Sequence, residues 1–286
     1  MWSASWRWWK GRPRLAVGFA APHVGRLPGV WRVDASWESQ TFRSDIPTAL
    51  GARLDQSHTH GALTVSDWLA PSVRYSASAG IDSWSGAQSV GRTIFAGGSL
   101  ERRWLDGRWS LAGAATAWMP AMPARGGSAF HKAGIRTTFR SSVLTEGWVY
   151  LADAGVERAS DNAPLAIWPG AGEGRARDPL LRAHPLLDGG AIDLDRPSVF
   201  GRTVLYTHAE AQRWLTSAAP VRFGIAAFVD MAGASRRLSS SNRDSAQIDL
   251  GAGLRVAIPG AAGMLRIDVA HGLRDGANAM SFGWQF

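Results

Sequence analysis

From Ile248 to Ile258 every second residue is apolar. One face reads Ile248, Leu250, Ala252, Leu254, Val256 and Ile258, and the other Asp249, Gly251, Gly253, Arg255 and Ala257. A strand sends successive side chains to opposite faces, so this segment has one wholly apolar side. The pattern recurs. Leu265, Ile267 and Val269 alternate with Arg266, Asp268 and Ala270, and Val221 to Met231 alternate with Arg222, Gly224, Ala226, Phe228 and Asp230. At the end of the chain Phe282, Trp284 and Phe286 occupy every second position. A row of outward aromatics on a soluble edge strand is an aggregation hazard. A barrel that closes within a lipid bilayer turns that face to lipid and leaves no edge. A soluble sandwich also alternates, but its polar face meets bulk water and is rich in Lys, Thr and Glu. Here the polar face mixes glycine with charges of both signs, which suits a confined lumen.

Fourteen segments of spanning length follow this rhythm: 2–9, 14–22, 29–42, 57–68, 73–84, 92–104, 109–119, 130–140, 147–159, 200–214, 221–232, 247–258, 263–272 and 280–286. Short connections such as 105–108 and 259–263 alternate with longer ones such as 232–246, the asymmetry of periplasmic turns and external loops. Helical periodicity is not sustained, and no run reaches the roughly 20 apolar residues of a membrane helix. The expected fold class is therefore all-β, a transmembrane antiparallel β-barrel forming one domain over residues 1–286. The 33 glycines and 15 tryptophans fit that reading, because tryptophan favours the membrane interface. Trp2, Trp6, Trp31, Trp68, Trp84, Trp104, Trp109, Trp118, Trp148, Trp214 and Trp284 all lie in or near the ends of these segments. A chain without cysteine suits an oxidising periplasm. The net charge of +8 is spread over strands and loops, with no Lys/Arg run of the kind that marks a nucleic-acid arm. No nucleic-acid partner is expected. The first ten residues, MWSASWRWWK, read as strand and not as a secretory signal, so the chain is expected to lack the front of a longer protein.

The long segment from about 160 to 199 carries Pro169-Gly170-Ala171-Gly172-Glu173-Gly174 and then Leu180-Leu181-Arg182-Ala183-His184-Pro185-Leu186. It resembles the loop of the BamA/TamA-type outer-membrane assembly proteins (the bacterial surface antigen family). In that family a glycine-rich lead precedes a V-R-G-[FY] motif. Leu181, Arg182, Ala183 and His184 stand at the motif positions, with the arginine kept, alanine for glycine and histidine for the aromatic. Phe200-Gly201, a strand with Glu210, Phe228-Val229-Asp230, the G-x-G-x-R of Gly251 to Arg255 and the aromatic terminus follow in the family's order. The resemblance covers roughly the last 120 residues.

The resemblance implies a sixteen-stranded barrel with two strands and the POTRA domains missing before Met1. It also implies a loop that folds into the lumen, and a role in inserting proteins into the bacterial outer membrane or exporting them across it. Implied partners are client outer-membrane or secreted proteins, outer-membrane lipid and lipopolysaccharide, and the barrel assembly machinery for the chain's own insertion. The terminal Phe282, Trp284 and Phe286 would be the assembly signal. Ordering the backbone of such a loop costs roughly 1–2 kcal/mol per residue, so the loop needs an anchor. Arg182 can make charge-assisted bonds to a wall carboxylate, and both Glu210 and Asp230 lie on the polar face; the resemblance favours Asp230.

Enzymatic readings find little support. The sequence has no nucleophile elbow, phosphate loop or Cys/His pairing, and no cofactor is expected. His58-Thr59-His60 lacks a carboxylate-rich or cysteine ligand set nearby in sequence, and Asp67 and Asp82 read as strand-end residues, so no metal is expected. A passive outer-membrane channel or porin, which needs no contact from Arg182, is the alternative to an assembly factor.

Overall fold

The computed structural model describes residues 1–9, 12–43, 53–86, 91–122, 127–142, 146–170, 180–194, 200–215, 220–235, 246–260 and 263–285. Fourteen strands form its wall: β1 (Trp2–Trp9), β2 (Arg12–Ala21), β3 (Val30–Arg43), β4 (Arg53–Ala70), β5 (Val73–Gly86), β6 (Gly91–Trp104), β7 (Trp109–Pro120), β8 (Phe130–Arg140), β9 (Gly147–Ala159), β12 (Thr203–Trp214), β13 (Arg222–Ser235), β14 (Gln247–Ala257), β15 (Met264–Gly272) and β16 (Asn278–Gln285). Each pairs antiparallel with its neighbour in sequence, and β9 pairs directly with β12 across the long loop. Two short strands, β10 (Leu187–Asp188) and β11 (Ala191–Asp193), lie within that loop. The all-β barrel fold read from the sequence is the observed one. The alternation alone did not reveal β10 and β11, which are too short to show a period. Among the described residues no ladder joins β1 to β16.

The alternation decides which way each side chain points. Phe223, Ile225, Leu250, Leu254, Val269 and Phe282 are exposed on the outside. Their neighbours Phe228, Asp230, Asp249, Arg255 and Asp268 are enclosed within. A one-residue slip would exchange the two sets, so the register is strongly fixed. The interfacial reading of the tryptophans holds for Trp2, Trp6, Trp68, Trp104, Trp148 and Trp284, which face outward. It fails for Trp84, Trp118 and Trp214, which are buried inside. Their register puts them on the inner face, where Trp214 packs with Val149 and Met264 of the wall, and apolar loop residues supply a dry surface to Trp84 and Trp118.

That surface comes from the loop between β9 and β12, which enters the lumen instead of lying in solvent. Leu165 and Trp168, in and beside a 3-10 turn at Leu165–Ile167, pack with Leu186 and Ile192 into a cluster containing Phe42, Trp84, Trp118 and Phe130 of the wall. Strand β3 extends beyond the end of its ladder with β2, whose last pair is Arg14–Glu38. Strand β11 takes up the uncovered edge in parallel, pairing Ala191, Ile192 and Asp193 with Thr41, Phe42 and Arg43. An exposed edge with open backbone donors and acceptors is thereby covered by the loop.

Candidate functional site: the buried anchor of the lumenal loop

The other side of the loop reaches the opposite wall at Arg182. Its guanidinium is almost wholly buried and faces three carboxylates from three strands. The distances are 3.0 Å to Glu210 Oε2 on β12, 3.1 Å to Asp230 Oδ2 on β13 and 3.3 Å to Asp268 Oδ2 on β15. Both carboxylates considered from sequence therefore meet Arg182, and Asp268 is a third that sequence reasoning did not select. The only sign of it was its place on the inner face of β15, beside Arg266.

The cluster continues along the wall. Arg255 Nη2 lies 2.7 Å from Glu210 Oε1 and its Nη1 2.6 Å from Asp268 Oδ1. Arg266 Nε adds a contact of 2.9 Å to Asp268 Oδ2. Three guanidiniums thus oppose three carboxylates, Glu210, Asp230 and Asp268. Such balance is needed here, because an unpaired ion out of water costs several kcal/mol. His208 Nδ1 sits 2.5 Å from Asp230 Oδ1, and Gln212 Nε2 donates to Glu210 Oε1 at 2.7 Å.

Glycines on β14 make the room. A Cβ on Gly251 would stand 2.2 Å from Cζ of Phe228, and one on Gly253 would stand 2.0 Å from Asp268 Oδ1. Without these methyl groups the Phe228 ring lies against the wall, and the Arg182 guanidinium sits 3.4 Å from its centroid. A cation over an aromatic face gains further attraction when shielded from water. The G-x-G-x-R strand accordingly combines two clearances with one ion-pairing arginine.

The residues flanking Arg182 are placed in turn. Leu181 is buried with Val204 and Tyr206, and Ala183 packs with Phe228 and Ala270. Ala183 N–H donates to Asp249 Oδ2 at 2.7 Å. His184 Nδ1 lies 2.8 Å from Asp249 Oδ1 and its Nε2 2.9 Å from Asp275 Oδ2, in the loop joining β15 to β16. Burial lowers the His184 pKa, but the two carboxylates outweigh it and hold the value above the ordinary 6.5. Burial likewise raises that of Asp275, but its bonds to His184 and the Ala277 N–H prevail and lower it. Pro185 is exposed. Phe282 and Trp284 lie on the outer face of β16, the face away from the anchor, whereas Phe286 and the glycine-rich stretch Ala171 to Gly174 lie outside the described residues.

Alongside Leu180 and Arg182 the lumen keeps a cavity of about 1130 Å³. Arg103, Arg136, Arg140 and Lys132 line it, with Asp153 and Glu157 as partial counterweights. On the opposite wall Asp82 departs from the strand-end reading. It is buried on the inner face of β5 and bonds to both His58 and His60, the carboxylate those histidines lacked in sequence. It was missed because a cross-strand pair (His60 with Asp82) is separated by 22 residues.

No family model and no curated protein matches this sequence. Solved structures do. BamA from Haemophilus ducreyi lacking POTRA domains 1–3 is similar over 96% of this chain and 62% of that one, with a TM-score of 0.66 and 12% identity. CdiB from Escherichia coli is similar over 96% of this chain and 52% of that one, with a TM-score of 0.62 and 14% identity. The chain spans about three-fifths of the first and half of the second. Nearly all of this chain thus has the β-barrel fold shared with BamA and CdiB, the type its loop and strand pattern resembles.

Proposed function

We propose that this chain is the barrel of a bacterial outer-membrane assembly or translocation factor, which inserts proteins into that membrane or exports them across it. The observation that carries the reading is the loop held inside the lumen by Arg182 against Glu210, Asp230 and Asp268. A conduit gains nothing from a buried six-ion lock at such desolvation cost. A machine that holds its lumenal loop in a defined position while its wall rearranges does. In this reading no catalytic residue and no cofactor is needed. Client proteins are the partners, and the apolar outer face meets outer-membrane lipid and lipopolysaccharide. The exposed aromatics of β16 serve the chain's own insertion by the assembly machinery. A client strand would add by edge pairing at β1 or β16, which no ladder joins among the described residues, since main-chain bonds give affinity without demanding one sequence.

The test is reconstitution in vesicles of outer-membrane lipid, with an unfolded β-barrel client added from urea. The chain is expected to speed client folding, and Arg182→Ala to lose that gain while remaining inserted. No acceleration by the parent protein would remove the reading. The cavity flanked by Arg103, Arg136 and Arg140 favours a second one, an anion-preferring passive channel. Single-channel recordings separate the two: a steady open conductance in the parent, merely widened by Arg182→Ala, belongs to a channel.

A further inference from the structure

A second polar cluster stands on the inner wall, built by three adjacent strands away from Arg182. Glu38 on β3 is opposite His58 on β4, and His60 on β4 is opposite Asp82 on β5. His58 Nε2 lies 2.8 Å and His60 Nδ1 2.7 Å from the same oxygen, Asp82 Oδ1. The other oxygen, Oδ2, accepts a hydrogen bond of 2.6 Å from Trp118 Nε1. The rings are held from behind: His58 stacks on Trp84 at 4.8 Å and 4°, and His60 on Phe95 at 5.2 Å and 19°.

We propose that His58, His60 and Asp82 bind a divalent transition-metal ion of the zinc class. One ligand atom from each lies within 4.8 Å of the others. Bonds of about 2.0–2.2 Å to a tetrahedral ion bring ligand atoms to about 3.5 Å from one another, which small side-chain rotations reach. Two imidazole nitrogens and one carboxylate oxygen suit zinc and its neighbours better than magnesium or calcium, which prefer all-oxygen shells. Three protein ligands leave a fourth position to solvent, and His60, 29% exposed, opens the site to the lumen.

The surroundings fit such an ion. His58 has a carboxylate at each ring nitrogen, Asp82 at Nε2 and Glu38 Oε1 at 3.7 Å from Nδ1. A neutral imidazole offers one N–H, so both carboxylates are satisfied either by a second proton on the ring or by a metal ion on one side. With zinc at Nε2, the Nδ1 proton faces Glu38, the outer carboxylate that fixes tautomer and ring orientation in metal sites. Among the described residues Asp82 forms ion pairs with these two histidines alone. The ion would tie β4 to β5 beneath the apolar cluster where Trp168 and Leu186 of the loop pack. Gln56 of the same β4 accepts a bond from the loop's Ala166 N–H at 2.9 Å. The metal would brace the wall that receives the loop.

The test uses the full chain, refolded in detergent and stripped of metal, with zinc as titrant in calorimetry. About one equivalent should bind, and cobalt in its place should give the intense visible absorption of a four-coordinate centre. The pair His58→Ala/His60→Ala should lose stoichiometric binding, and Glu38→Gln should weaken it about 10- to 100-fold. His23→Ala, at an exposed histidine, should bind as the parent does. Heat-modifiable gel mobility checks that each variant is folded. Should the double variant not fold, X-ray absorption of the zinc-loaded parent decides, and a shell containing two imidazoles is expected. No stoichiometric zinc, binding unchanged in a folded double variant, or a shell without imidazole would overturn the proposal.

Discussion

Arg182 joins a loop to three wall strands in one buried contact. Replacing it with alanine leaves Glu210, Asp230 and Asp268 with too few cations. Breaking a buried pair in this way costs about 3–5 kcal/mol, to be read from denaturant midpoints of the refolded protein. Arg182→Lys should recover only part of that loss, since a compact ammonium cannot face three carboxylates as a planar guanidinium does. If Arg182→Ala unfolds as the parent does, the ion cluster contributes nothing to stability. A pH effect belongs to His184. Its pKa is raised in the folded chain, so its contribution is complete below 6.5 and fades as pH rises through the higher folded value. The Asp275 value is lowered, so its share is present above 3.8 and is lost as pH falls through the lower folded value. Loop protection from proteases should thus be greatest between those limits, decline as pH rises above 6.5, and lose that decline in His184→Gln. At this scale the sequence was legible for Arg182, Glu210 and Asp230, which a motif and a register pointed to. Asp268 and Asp82 were not, because their roles arise from partners on distant parts of the chain.

Among the elements, alternation exposed nearly everything about the wall. The fourteen expected segments differ from the observed strands by a few residues at most, as at β4, which begins at Arg53 where the pattern suggested 57. A strand with one lipid face and one lumenal face must alternate, so pattern and structure are the same fact. The loop has no such constraint. Its small strands β10 and β11 are fixed by the free edge of β3, a partner more than a hundred residues upstream. Strand β14 gives a two-sided test. Leu254 faces outward between Ile225 and Ile267, and Leu254→Arg should cost up to about 2–4 kcal/mol in vesicle-based unfolding. Gly251→Ala, on the inner face of the same strand, should cost about 1–3 kcal/mol by driving into Phe228. It should also loosen the loop, as increased proteolysis near Arg182. Equal tolerance at both positions would mean that the two faces are not distinct environments.

For the whole molecule, a curved sheet of fourteen strands encloses a loop fastened on two sides, by β11 on β3 and by Arg182 on β12, β13 and β15. Beside Arg182 lies a basic cavity, and at the ends of the sheet are two strands, β1 and β16, with no ladder joining them among the described residues. The reading as an assembly factor depends on the loop being held inside while the wall remains able to change. The chain has no native cysteine, so a single engineered pair gives a direct report. Thr41 and Ala191 are partners in the β3–β11 ladder, where neighbouring strands lie about 4.7–4.9 Å apart, within reach of a disulfide. The deciding measurement is oxidation of Thr41→Cys/Ala191→Cys in the folded, membrane-inserted protein, followed by gel mobility. Rapid intramolecular bond formation, slowed at least tenfold by adding Arg182→Ala, is the predicted result. A pair that stays reduced with Arg182 in place would contradict the loop's position in the lumen, and the proposed function with it.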